Sequence, residues 1–442
     1  MGSPHTEEAW AFVRWMTSLD GIIPMNEGQQ EYAHGLGRIY VPDMTANRVV
    51  NETVFDKFAP KEEQYRSALR TCLDLMPVSR YRPVTFVGQR LWDEHIRSFD
   101  LAIYHKKDAK AALDESTAVV QKELDTVFAE RELPLFNWKI PYGIAAVAGV
   151  LLLLIGGVLI WRAEPIGPLR KQEAVAGYLF ASPWVIGFLV FTGGPILASI
   201  VYSFCSYDVL HPAKYVGFAN YQDLLKDPIF MKALFNAGYL WLFGVPLSMM
   251  VGLAIAMLLN AKVRGMSWYR TIYYMPSIVP MVASAILWIW ILNPEYGLIN
   301  LAWRSTLTAW FGIGAPEWLA DPLWSKPALI VMGLWGAGAG MIIWLAGLQG
   351  IGRHLYEAAA IDGATGWNAF RNVTLPMLSP YIFFNLIMGT IGSLQRFVDI
   401  YVMTAGRPVD STQVPVLYLF QNAFSYFKMG YASALAWLLF IV

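Results

Sequence analysis

The chain has 442 residues, enough for two or three domains, and its 33 Lys and Arg balance 33 Asp and Glu. Hydrophobic residues make up 56% and charged residues 15%, the balance of a membrane protein, and zero net charge points to no polyanionic partner, nucleic acid included. Cys72 and Cys205 are too few for a disulfide framework and have no metal spacing.

In chain order, no secretory signal is visible in the first thirty residues, which carry Arg14 and Asp20 and no apolar core of signal length. Residues 1–138 read as soluble, with mixed charge, Pro and Gly turns, and no apolar run long enough to span. Trp10, Phe12, Val13 and Trp15 mark an early helix. Ala109–Glu130 is expected as an amphipathic helix, with Ala112, Leu113, Val119, Val120, Leu124 and Val127 set among charges. Ile140–Trp161 contains LLLLIGGVLIW and no charge, enough for one membrane helix of about 20 residues. Trp138 and Trp161 bracket it as interfacial anchors, and Arg162, Arg170 and Lys171 put its far end in the cytoplasm and the soluble segment outside.

Further spans are expected around 175–204, 237–260, 271–293, 327–348 and 381–403, with a last one starting near Tyr431. Alternation places 261–270 and 349–380 in the cytoplasm, and Lys262, Arg264 and Arg270 agree with it. Trp303, Trp310, Trp318 and Trp324, in the outside loops, suit a membrane interface. Tyr431–Val442 is shorter than the roughly 20 residues of a full span, so the last helix is expected to be incomplete and the C-terminus truncated.

Between two of these spans lies LYEAAAIDGATGWNAFRNVTLP, Leu355 to Pro376. Glu357–Asp362 suits a short helix with Gly363 as its left-handed stop. Thr365 then caps a second helix, with Trp367, Phe370 and Val373 on one side, until Pro376 ends it. A helix pair with a small face and an aromatic face is built to dock.

This stretch resembles the EAA loop of binding-protein-dependent ABC importer permeases, matching it at Glu357, Ala358, Ala359, Gly363, Ala364, Phe370, Leu375 and Pro376. The resemblance implies that the loop sits in a groove of an ATPase subunit and transmits its closure to the membrane helices. Residues from about 170 to 442 resemble sugar-importer permeases more widely. The match includes Tyr269-Arg270 followed by Pro276 and Pro280, Gly297 with Asn300, FVDIYVMT at Phe397–Thr404, and GYASALA within Tyr426–Ala436. Arg407 departs from it, standing where the family usually has a Gly-Gly-Pro run.

Residues 1–138 are similar to the C-terminal portion of extracellular sugar-binding proteins, through AWAFVRWMTS, Arg82-Pro83 and AALDESTAVVQKELD. That match begins mid-domain, so the segment is either a truncated fusion or a remnant that no longer binds ligand by itself. The implied fold is an all-α polytopic membrane protein of the ABC importer type I class, preceded by a mostly helical soluble segment. Its parts are 1–138 outside, an additional helix at 139–162, and a permease core of six spans at 163–442. The implied setting is the bacterial inner membrane and its lipid. The implied partners are a second permease subunit, two ABC ATPase subunits, and a periplasmic or extracellular sugar-binding protein, a role open to the fused segment itself.

No Gly-rich loop ends in Gly-Lys-Ser/Thr, no metal spacing occurs, and no nucleophilic triad can be assembled. The chain is therefore read as no enzyme and as binding no cofactor, with ATP and Mg on the partner ATPase. Ser393, Gln395 and Arg396 precede FVDIYVMT, a place that in maltose-type permeases contributes to a mid-membrane sugar site. Amide, guanidinium and hydroxyl groups suit a sugar. The other reading of Arg396 is a structural pair with Asp399 one turn on. Trp335, Ala337 and Gly340, in WGAGAG, lie where the same family lines its cavity, while Gly336 and Gly340 also make a GxxxG packing face. Pro276 and Pro280 are a hinge or a kink.

Carbohydrate import is the reading these residues favour, with a polyol or glycerol-phosphate cargo as the alternative because Arg396 suits a phosphate. A membrane-anchored ligand sensor would need neither the further spans nor the loop. An ion-coupled transporter would call for internal repeats and paired intramembrane acids, and Asp399 is the acid well inside an expected span.

Overall fold

The computed structural model describes residues 5–35, 39–45, 47–79, 85, 87–130, 133–139, isolated positions between 141 and 158, 168–261 and 264–441. Most of the expected helix at 140–161, the Arg82-Pro83 pair and Lys262 lie outside the described residues. The chain divides into two compact units, Met1–Thr85 and Phe86–Val442.

The first unit contains α1 (Thr6–Met16), α2 (Leu19–Gly35), α3 (Arg48–Phe58) and α4 (Glu63–Leu75). The Asn47 side chain caps α3 by accepting from the amides of Val49 and Val50, two of the donors a helix start leaves unpaired. Ile22, Val50, Val54 and Phe58 form one small core, and Phe55, Leu69 and Leu73 another. The early helix is present, but Trp10, Phe12, Val13 and Trp15 are all exposed on it.

The second unit opens with α5 (Gly88–Ile103) and α6 (Ala109–Glu130), an antiparallel pair in which Arg90 meets Glu123 and Arg97 meets Glu115. The stripe of α6 is largely the expected one, with Val119, Leu124 and Val127 half-buried on it. Ala112 and Val120 are buried and Leu113 is exposed, while Ser116 and Glu123 fill the remaining buried positions. Glu123 is buried because Lys428 and Arg90 meet it there, so paired charge joins the stripe.

The helices that follow are long and apolar. α7 (Pro168–Phe188) passes through a π turn at Leu189–Gly193 into α8 (Gly194–Ser203). Strands β1 (Cys205–Ser206) and β2 (Lys214–Tyr215) pair antiparallel and lead to α9 (Ala219–Lys226). α10 (Pro228–Tyr239) continues through a π turn at Leu240–Gly244 into α11 (Val245–Leu259). Asp227 caps α10 by accepting from the amides of Ile229 and Phe230, and its other oxygen accepts the hydroxyls of Tyr418 and Tyr431. One carboxylate thus ties the start of α10 to two distant helices.

Among the described residues, Ala176–Ser203 and Pro228–Leu259 are long and apolar enough to cross a membrane without a sharp break. Three further candidates are bent pairs. α12 (Met266–Tyr274) and α13 (Met281–Ile291) meet at 97°, so the expected single span over 271–293 is broken. Pro276 sits in a 3₁₀ turn, Met275–Ile278, and Pro280 takes the extended backbone just before α13. Neither proline can donate to a helical ladder, and Val279, before Pro280, is extended, so the chain turns there.

After α14 (Leu298–Trp303) and α15 (Ala309–Phe311), α16 (Ser325–Trp335) bends by 43° through Ala337–Gly340 into α17 (Met341–Gly350). The close approach in this bend is at Gly338, not at the GxxxG pair: a Cβ there would lie 1.9 Å from the carbonyl oxygen of Tyr273. α18 (Arg353–Ile361), α19 (Gly366–Ala369) and α20 (Leu375–Met377) make the helical hairpin, and the segment Gly366–Met377 meets the next helix at 66°. That helix comprises α21 (Ser379–Leu394) and α22 (Val398–Met403). The unit closes with α23 (Pro415–Phe420) and α24 (Met429–Ile441), and α24 packs on α8.

Among the apolar clusters that hold these helices, one gathers Leu240, Ala285, Trp288, Leu329, Ile400 and Leu417, and a second Ala256, Leu259, Met341, Trp344, Leu348 and Leu378. Trp303, Trp318 and Trp324 pack edge to face against one another at the first cluster, and Trp318 is buried, so these rings are not separate surface anchors. Asn300 explains the match at Gly297 and Asn300: its amide donates to Pro294 and Pro316 carbonyls and accepts from Trp318 Nε1, pinning the loop over that cluster.

Candidate functional site: a cavity between the helices and a helical hairpin beyond it

A cavity of about 780 Å³ opens among α11, the bend at Pro276–Met281, the bend at Gly336–Gly340, and α21 with the start of α22. Trp335, Ala337, Gly340, Ser393, Gln395 and Arg396 all lie on its wall. They reach it through breaks in regular structure. α16 ends at Trp335, where four small residues make the 3₁₀ turn, and α21 ends at Leu394, one residue before Gln395. Phe397, at φ −145° and ψ −60°, lies outside helical backbone, and the chain re-enters a helix at Val398. Gln395 and Arg396 therefore sit in a gap between two helices.

The charge in this gap is balanced. Arg396 Nε donates to Asp399 Oδ2 at 2.6 Å, and its Nη2 donates to the Leu329 carbonyl at 2.7 Å. Asp399 is buried, and it too belongs to the wall. Arg396 is thus paired with Asp399 one turn ahead, and it also stands on the cavity wall. Ser248, Ser277, Ser284 and Asn385 also line the wall, and the sequence reading missed them. Their signal was present as single polar residues within otherwise apolar windows. The resulting surface carries amide, hydroxyl, guanidinium and indole groups around an apolar floor, as sites for polyhydroxylated ligands do.

The hairpin at Leu355–Pro376 is built as a separate device. α18 starts earlier than expected, at Arg353, and ends at Ile361. Gly363 has φ +75°, its amide donates to Ala360 O at 3.1 Å, and the Ala364 amide donates to Ala359 O at 2.9 Å. This pair of bonds satisfies the last carbonyls of the helix, and the left-handed residue it requires favours glycine. Thr365 occupies the cap position of α19 by backbone geometry, but its side chain makes no capping bond.

Pro376 ends the second helix to within one residue: the helical segment Gly366–Met377 stops just after it and meets the next helix at 66°. Phe370–Thr374 forms a π turn within that segment, and Pro376 follows it directly, with no N–H to carry the ladder further. Glu357, Ala358, Gly363, Leu375 and Pro376 are exposed, while Ala359, Ala364 and Phe370 are half-buried. Ile361 and Trp367 are 88% and 69% exposed, and the Trp367 ring stacks on Phe370 at 5.4 Å. On the inner side Leu355, Tyr356 and Val373 pack against the second apolar cluster, and Tyr356 OH bonds Thr374 Oγ1 at 2.9 Å. That cluster contains Trp344, which also stands on the cavity wall.

Broken apolar helices around a cavity, with an exposed helical hairpin beside them, are an arrangement that suits a membrane permease. Residues 244–442 match the family of binding-protein-dependent transport system inner membrane components. The chain is 40% identical over 277 residues to the probable ABC transporter permease protein YesP of Bacillus subtilis (strain 168), covering 62% of this chain and 88% of that protein. It is 35% identical to the lactose transport system permease protein LacF of Rhizobium radiobacter, over 62% of this chain and 92% of the relative. The trehalose/maltose transport system permease protein MalF of Thermococcus litoralis is 33% identical over the same shares. A crystal structure of a bacterial ABC transporter involved in import of the acidic polysaccharide alginate superposes with a TM-score of 0.51 at 26% identity, covering 62% of this chain and 93% of that one. The chain belongs to the binding-protein-dependent ABC permease family.

Proposed function

We propose that this chain forms the substrate pathway of a carbohydrate importer and couples it to an ATPase through Leu355–Pro376. The observation that carries the reading is the cavity, whose wall gathers Trp335, Ala337, Gly340, Ser393, Gln395 and Arg396. Trp335 offers an apolar ring face to a sugar, and the small residues Ala337 and Gly340 leave room beside it. Gln395, Ser393 and Arg396 supply hydrogen bonds in a wall whose Arg396–Asp399 pair carries no net charge. A neutral mono- or oligosaccharide fits that balance better than a phosphate ester, because the Arg396 charge is already answered by Asp399. Relatives named for lactose and for trehalose/maltose support the same class.

In this reading the hairpin at 349–380 is cytoplasmic, the opposite end of the permease faces outward, and the membrane is the bacterial inner membrane. A second permease subunit and two ATPase subunits complete the assembly, with ATP and Mg held by the ATPases. A sugar-binding protein delivers cargo; a related transporter has been solved with an alginate pentasaccharide-bound periplasmic protein. Glu357, Ala358, Ala359, Gly363, Ala364, Phe370, Leu375 and Pro376 present the docking face. Closure of the ATPases displaces the hairpin. Leu355, Tyr356 and Val373 pass that displacement to the cluster around Trp344, and so to the cavity wall.

Reconstitution with the ATPase encoded beside it, followed by ATP hydrolysis in liposomes with a panel of sugars and binding proteins, tests this. Stimulation by a neutral sugar is expected, with Gln395→Ala raising the sugar concentration needed and Glu357→Lys uncoupling hydrolysis from uptake. Uptake at the parent rate in Glu357→Lys would overturn the coupling role. Stimulation by glycerol phosphate alone would overturn the carbohydrate assignment.

A further inference from the structure

The outer reach of the permease unit is already occupied by part of the same chain. α5 and α6 lie on the loop Thr404–Gln413 and on Tyr426–Lys428, and charge dominates the contact. Arg407 makes a two-pronged bond to Asp100, at 2.7 and 3.0 Å. Arg97 Nε meets Asp410 Oδ2 at 3.1 Å while its other nitrogens meet Glu94 and Glu115. Lys428 Nζ lies 2.9 Å from Glu123, Tyr426 donates to Asp93 at 2.8 Å, and the Arg90 guanidinium stands 5.0 Å over the Tyr426 ring. Tyr104 donates to the Ala320 carbonyl. The apolar part of the contact is small, with Leu101, Ala112 and Tyr104 around Val409.

Arg407, on the loop that follows α22, faces the α5–α6 pair. The loop it belongs to begins at the end of α22, whose first turn carries Asp399 of the cavity wall. From the other side the loop is held by Asn236, which donates to the carbonyls of Asp410 and Gln413, and by Lys326 and Ser325, which bond Ser411. Ala405, Val409 and Asp410 have positive φ, at 50°, 49° and 52°, a costly backbone for side chains that persists only where the surroundings impose it. The loop is therefore strained, and it is gripped from both sides.

We propose that the α5–α6 hairpin is a releasable latch, a docking partner held in cis, whose seating on Arg407, Asp410, Tyr426 and Lys428 fixes the loop that ends α22 and holds the cavity in its present form. Permanent interfaces rest on apolar cores, whereas charge pairs set orientation and are weakened by salt. Here charge outweighs apolar contact, so the seat parts without unmaking the fold. The chain between Glu130 and Pro168 keeps the hairpin near its seat, so a released latch returns as an intramolecular partner. The consequence for transport rests on the importer reading above; the seating does not.

Spin labels at Asp114→Cys on α6 and Leu323→Cys on the permease, in the Cys72→Ser chain in lipid vesicles, give the distance between the two elements. Both label sites are exposed and Cys205 is buried, so labelling is confined to the introduced pair. The expected result is one narrow distance at about 0.1 M salt that broadens near 1 M, where the screening length falls from about 10 to about 3 Å. Arg97→Glu with Arg407→Glu is expected to broaden it at low salt, and the exchange Asp100→Arg with Arg407→Asp to narrow it again relative to Arg407→Asp alone. A distance that stays narrow in the double charge reversal would overturn the proposal, as would one that ignores salt in the unsubstituted interface.

In the complex with its ATPase, the released variant should raise hydrolysis without sugar by about fivefold or more, the low end of usual coupling between two sites. Unchanged hydrolysis with the hairpin demonstrably released would remove its role as a latch. A complex silent with every sugar, parent included, would count against the importer reading, and the distance measurement would still decide the latch.

Discussion

The two ends of the permease unit solve opposite problems. At Thr404–Gln413, Ser411, Thr412 and Gln413 are buried, and the surrounding side chains of Asn236, Ser325, Lys326, Arg97 and Asp100 bond the loop. At Leu355–Pro376 the helices are capped internally, and Ile361, Trp367 and Leu375 stand in the open. The first end is satisfied by its own chain. The second keeps its backbone satisfied and leaves its apolar side chains for something else. Substitution should therefore cost stability at the first end and association at the second.

The largest effect is expected at the closed end. Asn236→Leu takes the donor from one buried and one part-buried carbonyl, at a cost of about 3 kcal/mol, read as a lowered midpoint in thermal unfolding in detergent. Next is Gly338→Ala, whose methyl group would meet the Tyr273 carbonyl; a loss of about 1–3 kcal/mol in the same assay is expected from overpacking. At the open end, Gly363→Val forces a branched residue into left-handed backbone and should cost about 1–3 kcal/mol locally, seen as faster hydrogen exchange across α18.

Trp367→Ala should change stability by under about 0.5 kcal/mol yet weaken binding of the partner ATPase by more than about tenfold, measured by titration in nanodiscs. A Trp367→Ala chain that melts early would erase the contrast between the ends. The smallest effect is acidic. The hydrogen bond from Lys107, with Arg97 nearby, holds the Glu115 carboxyl below its ordinary range. A depressed value means stabilisation that is full above the ordinary glutamate range and fades as pH falls through the folded value, so the α5–α6 pair should loosen only in that acidic window, by hydrogen exchange.

Much of the open end was legible in the sequence, because a capped helix, a left-handed glycine and an aromatic face are local signals. Gly363 and the stretch from Glu357 were placed by rules that span a few residues. Where the outcome depended on distant chain, those rules failed. Pro376 reads as a stop and the helix does end at Met377, but the π turn at Phe370–Thr374 before it has no signal in the stretch itself. The GxxxG spacing drew attention to Gly336 and Gly340, while the glycine that matters for packing is Gly338, and only the position of Tyr273 reveals it.

The six cavity residues are expected from the resemblance to sugar-importer permeases, and their meeting on one wall follows from breaks at 336–340 and 395–397. Ser248, Ser284 and Asn385 carried no motif and were missed. On α6, apolar spacing gave the helix and most of its stripe but not Glu123, which is buried against Arg90 and against Lys428, three hundred residues on, and which periodicity counts as surface.

The meeting of Gly338 with Tyr273 has a mechanical meaning. Two bent helix pairs, one turning by 97° and the other by 43°, touch where each is broken, backbone against backbone with no side chain between them. Such a fulcrum has no cushion to compress and no rotamer to absorb play. A push that alters one angle is delivered undamped to the other, so the two elbows behave as one crank rather than two independent joints.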